Sequence, residues 1–223
     1  PPSLECAFFG GVLMVLRKLM GIFAITLIVG AASLAMAGVP DVTQCSASRA
    51  YTGPERTVLF NVPDGNGNAF TEAVKVGGGV ADATITIIIR DGAGVPVVNF
   101  PFEDTWIESV DGGMVACTGG ATSDVSTDVD GMTQLQTPLQ AGGASLTDTR
   151  IIINNNALAN TLPISYNSSD LDGSGAVNLT DVQLFAGDFF DVSYMFRSDL
   201  FFDNVVNLSD LPLLAATIGA SCP

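Results

Sequence analysis

The chain has 223 residues, with 23 Asp and Glu against 8 Lys and Arg, 24 Gly and no His. Such an acidic excess excludes nucleic acid and anionic membrane surfaces as expected partners, because both are held through basic patches. Lack of His rules out Ser-His-Asp and Cys-His catalysis, while abundant Gly with few charges suits a turn-rich β chain of one or two domains.

Residues 1–37 read as upstream residues and a secretory signal peptide. Arg17 and Lys18 supply a basic region, Leu19 to Leu34 an apolar core, and Ala35-Met36-Ala37 a small-residue cleavage site. Met14 is the expected start and cleavage is expected before Gly38, with an uncleaved anchor as the alternative. After cleavage no membrane contact is expected. Export permits disulfides, and Cys45, Cys117 and Cys222 can pair in any of three ways. Cys45 with Cys117 is preferred because both fall within one domain; the alternative is Cys222 clamping the chain end onto the body.

Residues 38–163 alternate short β-prone runs with turn signals. Strands are expected at Thr57–Val62, Ala83–Arg90, Val95–Phe100, Thr105–Val110, Met114–Cys117, Thr133–Thr137 and Thr149–Ile153. Alternation in the second run places Ile85, Ile87 and Ile89 on one face, with Thr84, Thr86 and Ile88 on the other. One sheet cannot bury its apolar face alone, so an antiparallel β-sandwich is expected. Asn154 to Asn156 is expected to break the last strand, and Leu162 to Ser169 to form a short, Pro-stiffened linker into a second domain at residues 164–223.

Arg90-Asp91-Gly92-Ala93-Gly94-Val95-Pro96-Val97, and Thr127-Asp128-Val129-Asp130-Gly131-Met132-Thr133 leading to Pro138-Leu139, resemble the turns of bacterial Ig-like domains of the invasin and intimin type. The resemblance implies an Ig-like spacer or adhesive module without catalysis.

Asp170 to Asp181 places oxygen donors at the spacing of a twelve-residue calcium loop. Asp170, Asp172, Ser174, the Ala176 carbonyl, Asn178 and Asp181 occupy the ligand positions, Gly175 the sharp turn and Val177 the apolar eighth position. An all-oxygen set favours Ca2+ over transition metals. The pattern recurs at Asp199, Phe201, Asp203, the Val205 carbonyl, Asn207 and Asp210, with Asn204 at the turn. Phe201 cannot ligate, so this copy is expected to bind calcium more weakly or to keep the loop shape without metal. Helices are expected after each loop, from Asp181 to Phe190 and from Leu211 to Ile218.

These loop-plus-helix repeats make the chain from about Ser168 to Cys222 resemble a dockerin. The match rests on Asp170, Asp172, Ser174, Gly175, Val177, Asn178 and Asp181, then Asp199, Asp203, Val206, Asn207 and Asp210. The resemblance implies that calcium orders the module and that its helices bind a cohesin, a β-sandwich partner, in polysaccharide-degrading complexes or on cell surfaces. Leu179-Thr180 and Leu208-Ser209, followed by Ala186-Gly187 and Ala215-Ala216, depart from the Ser/Thr pair and basic residues of classical dockerins and argue against a classical cohesin. Phe189, Phe190, Phe196, Phe201 and Phe202 offer aromatic anchors for a partner or for the chain's own sandwich.

Glu103 and Asp104 beside the lone Trp106 read as a solvated acidic edge and not as a glycosidase pair. The sequons at Asn167, Asn178 and Asn207 read as loop composition. The sequence thus leads to an exported, non-catalytic, mainly β protein: an Ig-like antiparallel β-sandwich followed by a small α-helical, dockerin-like calcium domain. Its function is docking, or alternatively a structural or adhesive role in which calcium only stabilises the C-terminus.

Overall fold

The structure is a computed structural model and describes residues 38–223; the expected signal peptide lies outside the described residues. Twelve strands in four sheets dominate it. The strands are β1 (Ser46–Arg49), β2 (Thr57–Asn61), β3 (Ala73–Lys75), β4 (Val80–Ala81), β5 (Ile85–Ile88), β6 (Thr105–Ser109), β7 (Met114–Ala116), β8 (Met132–Leu135), β9 (Ala141–Gly143), β10 (Thr149–Ile153), β11 (Asn156–Leu162) and β12 (Ile164–Ser168). Two short helices follow, α1 (Leu179–Phe189) and α2 (Leu211–Thr217).

The sheets run β1-β5-β8, β11-β10-β6, β12-β2-β3-β4 and β7-β9. All four contribute to one apolar core, with Ile85 and Ile87 from β5, Leu135 from β8, Ile107 from β6, Ile151 and Ile153 from β10, Leu59 from β2, Tyr166 from β12 and Ala141 from β9. This mostly β arrangement is consistent with the expected Ig-like sandwich. Ile85, Ile87 and Ile89 are fully buried while Thr86 and Ile88 are half-buried, so the alternation sets the inward face over β5; Thr84, expected with Thr86 and Ile88, is buried instead. Tyr166 is also fully buried, its hydroxyl paired with Thr149 Oγ1 at 2.5 Å, and burial pushes its pKa well above the ordinary phenol value.

Four expectations are corrected. Val95 to Phe100 forms no strand: Pro96 makes only an isolated bridge to Arg90, and Asn99 turns the chain at φ 56°. Asn154 and Asn155 do not end the pattern but form the hairpin turn between β10 and β11, with φ of 49° and 62°. Asn tolerates the left-handed region that such tight turns require at both central positions. The segment Ile164–Ser168, expected as linker and module entry, is strand β12. Finally, β12 runs parallel to β2, from Ile164 beside Thr57 to Ser168 beside Asn61, so the sandwich is not wholly antiparallel. A parallel neighbour needs a long crossover, and here nearly the whole sandwich intervenes.

The two turns that carried the Ig-like resemblance have the same construction. Asp91 Oδ1 accepts from Ala93 N and Val95 N, and Asp128 Oδ1 from Asp130 N and Met132 N, all at 2.9 Å. Gly94 and Gly131 complete them at φ 77° and 73°.

Candidate metal centre

The C-terminal segment builds a second core directly on β2. Phe60 of β2 and Val62 just beyond it pack with Leu171, Val177, Phe185, Leu200 and Leu214. Leu171 and Leu200, and Phe185 and Leu214, hold equivalent places in the two repeats, so the internal repeat supplies matched core residues. Val177 is joined by Val206, its half-buried equivalent.

In the first loop the backbone wraps around two buried carboxylates. Asp170 Oδ1 accepts from Ser174 N at 3.0 Å and Oδ2 from Gly175 N at 2.8 Å. Asp181, at the third position of α1, accepts from Leu171 N at 2.8 Å and Asp172 N at 3.3 Å on one oxygen, and from Asn178 N at 2.8 Å on the other. Asn178 belongs to both loop and helix, because its Oδ1 caps α1 through Thr180 N at 2.8 Å. Gly175 makes the sharp turn at φ 85°. Ser174 Oγ and Asn178 Nδ2 both donate to the Ala176 carbonyl, at 3.3 and 3.0 Å, which brings donor positions five, seven and nine together.

Asp170, Asp172 and Asp181 each offer a carboxylate oxygen within 4.8 Å of the others, the one such group among the described residues. Asp170 and Asp181 are fully buried and Asp172 is exposed. Asp170 makes no ion pair among the described residues. Burial, followed by the neighbouring acids, pushes its carboxyl up to about 6. The Ser174 hydroxyl holds Asp172 below the ordinary carboxylate value. The donors are oxygens throughout, and the buried negative charge is uncompensated, so the residues fit a hard divalent cation such as calcium.

The second loop repeats the backbone of the first. Asp199 accepts from Asp203 N at 3.2 Å and Asn204 N at 2.9 Å, and Asp210 from Phe201 N and Asn207 N at 2.8 Å each. Asn207 Oδ1 accepts from Ser209 N at 2.6 Å. Asn204 takes the glycine place at φ 67°. Val205, whose carbonyl is the expected seventh-position donor, is exposed. Asp199, Asp203 and Asp210 form no such group: Asp203 stands at the place of Ser174, and the place of Asp172 is taken by Phe201, whose ring is exposed.

Several residues that serve the site carry no signal of their own in the sequence. A Cβ on Gly142 of β9 would stand 1.9 Å from Asp170 Oδ2, and Gly143 N donates to the Asp170 carbonyl at 2.7 Å, so the sandwich leaves room for this carboxylate. Asn167 of β12 donates to the Phe196 and Asp199 carbonyls at 2.7 and 2.8 Å, tying β12 to the second loop. Asp188 of α1 receives Arg197 at 2.7 and 2.8 Å and Ser198 at 2.6 Å. The disulfide is Cys117–Cys222, with Cα atoms 5.6 Å apart, so the preferred Cys45–Cys117 pairing is corrected to the chain-end clamp. Cys45 is free and half-buried, and bonds the Arg90 backbone. Beside the disulfide, Cys222 N and Val177 N make backbone bonds that strap the C-terminus along the first loop.

Of the five candidate anchoring phenylalanines, only Phe190 and Phe201 stand exposed. Phe189 and Phe202 pack against the second core, and Phe196 is half-buried.

The chain matches no protein-family model and no curated protein. Among solved structures it is similar to the Lin-41 filamin domain, at 14% identity over 56% of this chain and 95% of that one, with a TM-score of 0.28. It is also similar to a chain of a type II cohesin–X-dockerin complex from Acetivibrio cellulolyticus, at 17% identity over 59% of this chain and 89% of that one, with a TM-score of 0.24. At these TM-scores the likenesses add nothing to the β-rich architecture read directly from the sheets.

Proposed function

We propose that the chain is an exported, non-catalytic attachment protein whose dockerin-like C-terminal module binds calcium at its first loop and docks a protein partner of the cohesin kind. The observation that carries this reading is Asp170: a fully buried carboxylate, without a basic partner, converging with Asp172 and Asp181. Calcium would be held by Asp170, Asp172, Ser174, the Ala176 carbonyl, Asn178 and Asp181, and when bound it supplies the positive charge that this cluster lacks. Asp181 and Asn178 then transmit the order of the loop to α1, because both cap its first turn. Leu179 and Leu208, at equivalent places in the two repeats, are 75% and 71% exposed, and Phe190 is 83% exposed. Apolar side chains so presented on a calcium-ordered frame suit a protein partner better than a small solute.

The reading is tested by surface plasmon resonance of the full chain against a panel of cohesins of several types, in calcium and in chelator. Binding that needs calcium and weakens in Leu179→Asp/Leu208→Asp supports docking. Absence of binding to every cohesin would overturn it in favour of a second reading, in which calcium fastens the chain's own C-terminus to a structural or adhesive sandwich. The contact of Asp170 with Gly142 and the Cys117–Cys222 bridge favour that second reading.

A further inference from the structure

The second loop keeps the calcium-loop backbone, yet its carboxylates are already occupied. Asp199, only 1% exposed, accepts from Asp203 N, from Asn204 N and, at 2.7 Å, from the Tyr194 hydroxyl. Asp203 accepts from Val205 N at 3.0 Å and Asn207 Nδ2 at 3.2 Å, and Asp210 from two backbone amides. The first loop has no tyrosine in the place of Tyr194, and its Asp170 receives a side-chain hydroxyl only from Ser174, at 3.4 Å. There the residue five places before Asp170 is Ser165, a buried strand residue whose side chain meets Arg56.

We infer that Tyr194 is a built-in substitute for a metal ion: its hydroxyl satisfies the buried Asp199 carboxylate, closes the second loop and leaves the chain with a single functional calcium loop. A hydroxyl donor neutralises no charge, but one strong O–H···O− bond provides much of what a buried carboxylate loses on leaving water. Other protein contacts brace the same loop without metal. Phe202 holds φ at 61°, where the first loop has Gly173 at 68°. A bulky residue persists in that region only when its surroundings impose it, and Phe202 packs against the Phe60 and Leu200 core. Asn167 grips the Asp199 carbonyl, and the Arg197–Asp188 pair fixes the turn entering the loop. The missing ligand at Phe201 is thus one of two barriers to metal, and Tyr194 is the second.

This inference shares its calcium chemistry with the proposed function, but its test measures gain relative to the parent chain and is independent of whether the first loop binds. Calcium titrations by calorimetry would compare the parent, Phe201→Asp and Tyr194→Phe/Phe201→Asp. Restoring the ligand alone should add no equivalent, whereas removing the hydroxyl as well should add one. A second equivalent in the parent, a gain with Phe201→Asp alone, or no gain with the double change would overturn the inference. No binding by the parent would instead overturn the first-loop reading and leave the gain in the double variant to decide this one. Because the Tyr194 ring is 47% exposed, Tyr194→Phe opens no cavity. Should the double variant fail to fold, the single change decides: its melting temperature in chelator should fall by a few degrees, and an unchanged value would overturn the inference.

Discussion

The loops at residues 170–181 and 199–210 have one backbone and two fates. Both wrap amides around a buried first-position Asp, both fix their last Asp through two or more amides, and both turn at a left-handed sixth position. They differ in what completes the charge. The first gathers three carboxylates against β9 with no cationic side chain paired to Asp170 and only a long 3.4 Å bond from the Ser174 hydroxyl, while the second does not gather its acids and caps Asp199 with a phenol. Loop shape is therefore encoded by hydrogen bonds from the chain to itself, and the need for a cation is a separate property set by a few side chains around it.

The largest expected effect on calcium binding comes from removing the charge of the first loop. Asp172→Ala should weaken calcium binding by roughly a hundredfold or more with little change in the metal-free fold, because Asp172 is exposed and accepts only from Ser174. Asp203→Ala, which removes a second-loop acid from the place that Ser174 holds in the first, should leave calcium affinity unchanged. Equal losses from the two, read by calorimetry, would erase the proposed difference between the loops.

Next is the disulfide, which closes a sequence separation of 105 residues. Cys117→Ser with Cys222→Ser should cost about 4 kcal/mol by denaturant unfolding. It should also weaken calcium binding at the first loop, because Cys222 lies against Gly175. Gly142→Ala should follow, at about 1–3 kcal/mol, because its Cβ would fall on Asp170 Oδ2. Its calcium affinity should drop while the second loop is undisturbed.

The smallest effect concerns Asp188. Its side chain is 6% exposed, and the Arg197 guanidinium holds its carboxyl below the ordinary value near 3.8. A lowered folded-state pKa contributes stability that is present above the unfolded value and lost as pH falls through the folded one. Arg197 is 40% exposed, so screening limits the pair to about 1 kcal/mol. Asp188→Asn should therefore lose about that much at pH 7, and the gap from the parent should close as pH falls below about 4.

Much of this architecture is legible in the sequence because its periods are short. Alternation fixed the inward face of β5, the turn chemistry of Asp91 and Asp128 recurs as drawn, and the 29-residue offset between loops places both helices within a few residues. What escapes is long-range. Nothing local in Ile164–Ser168 announces a parallel partner more than a hundred residues earlier, nor that Gly142 makes room for Asp170. Asn154-Asn155 carries the right turn chemistry, but polarity alone does not separate a hairpin turn from the end of a strand. Tyr194 lies outside the loop pattern, so only the fold brings its hydroxyl to Asp199.

The difference proposed between the loops is that one needs a cation and its twin does not. A calorimetric calcium titration of the full chain, with the Cys117–Cys222 bridge intact, tests it most directly. One equivalent is expected, lost in Asp172→Ala and retained in Asp203→Ala. No binding, or two equivalents in the parent, would contradict it.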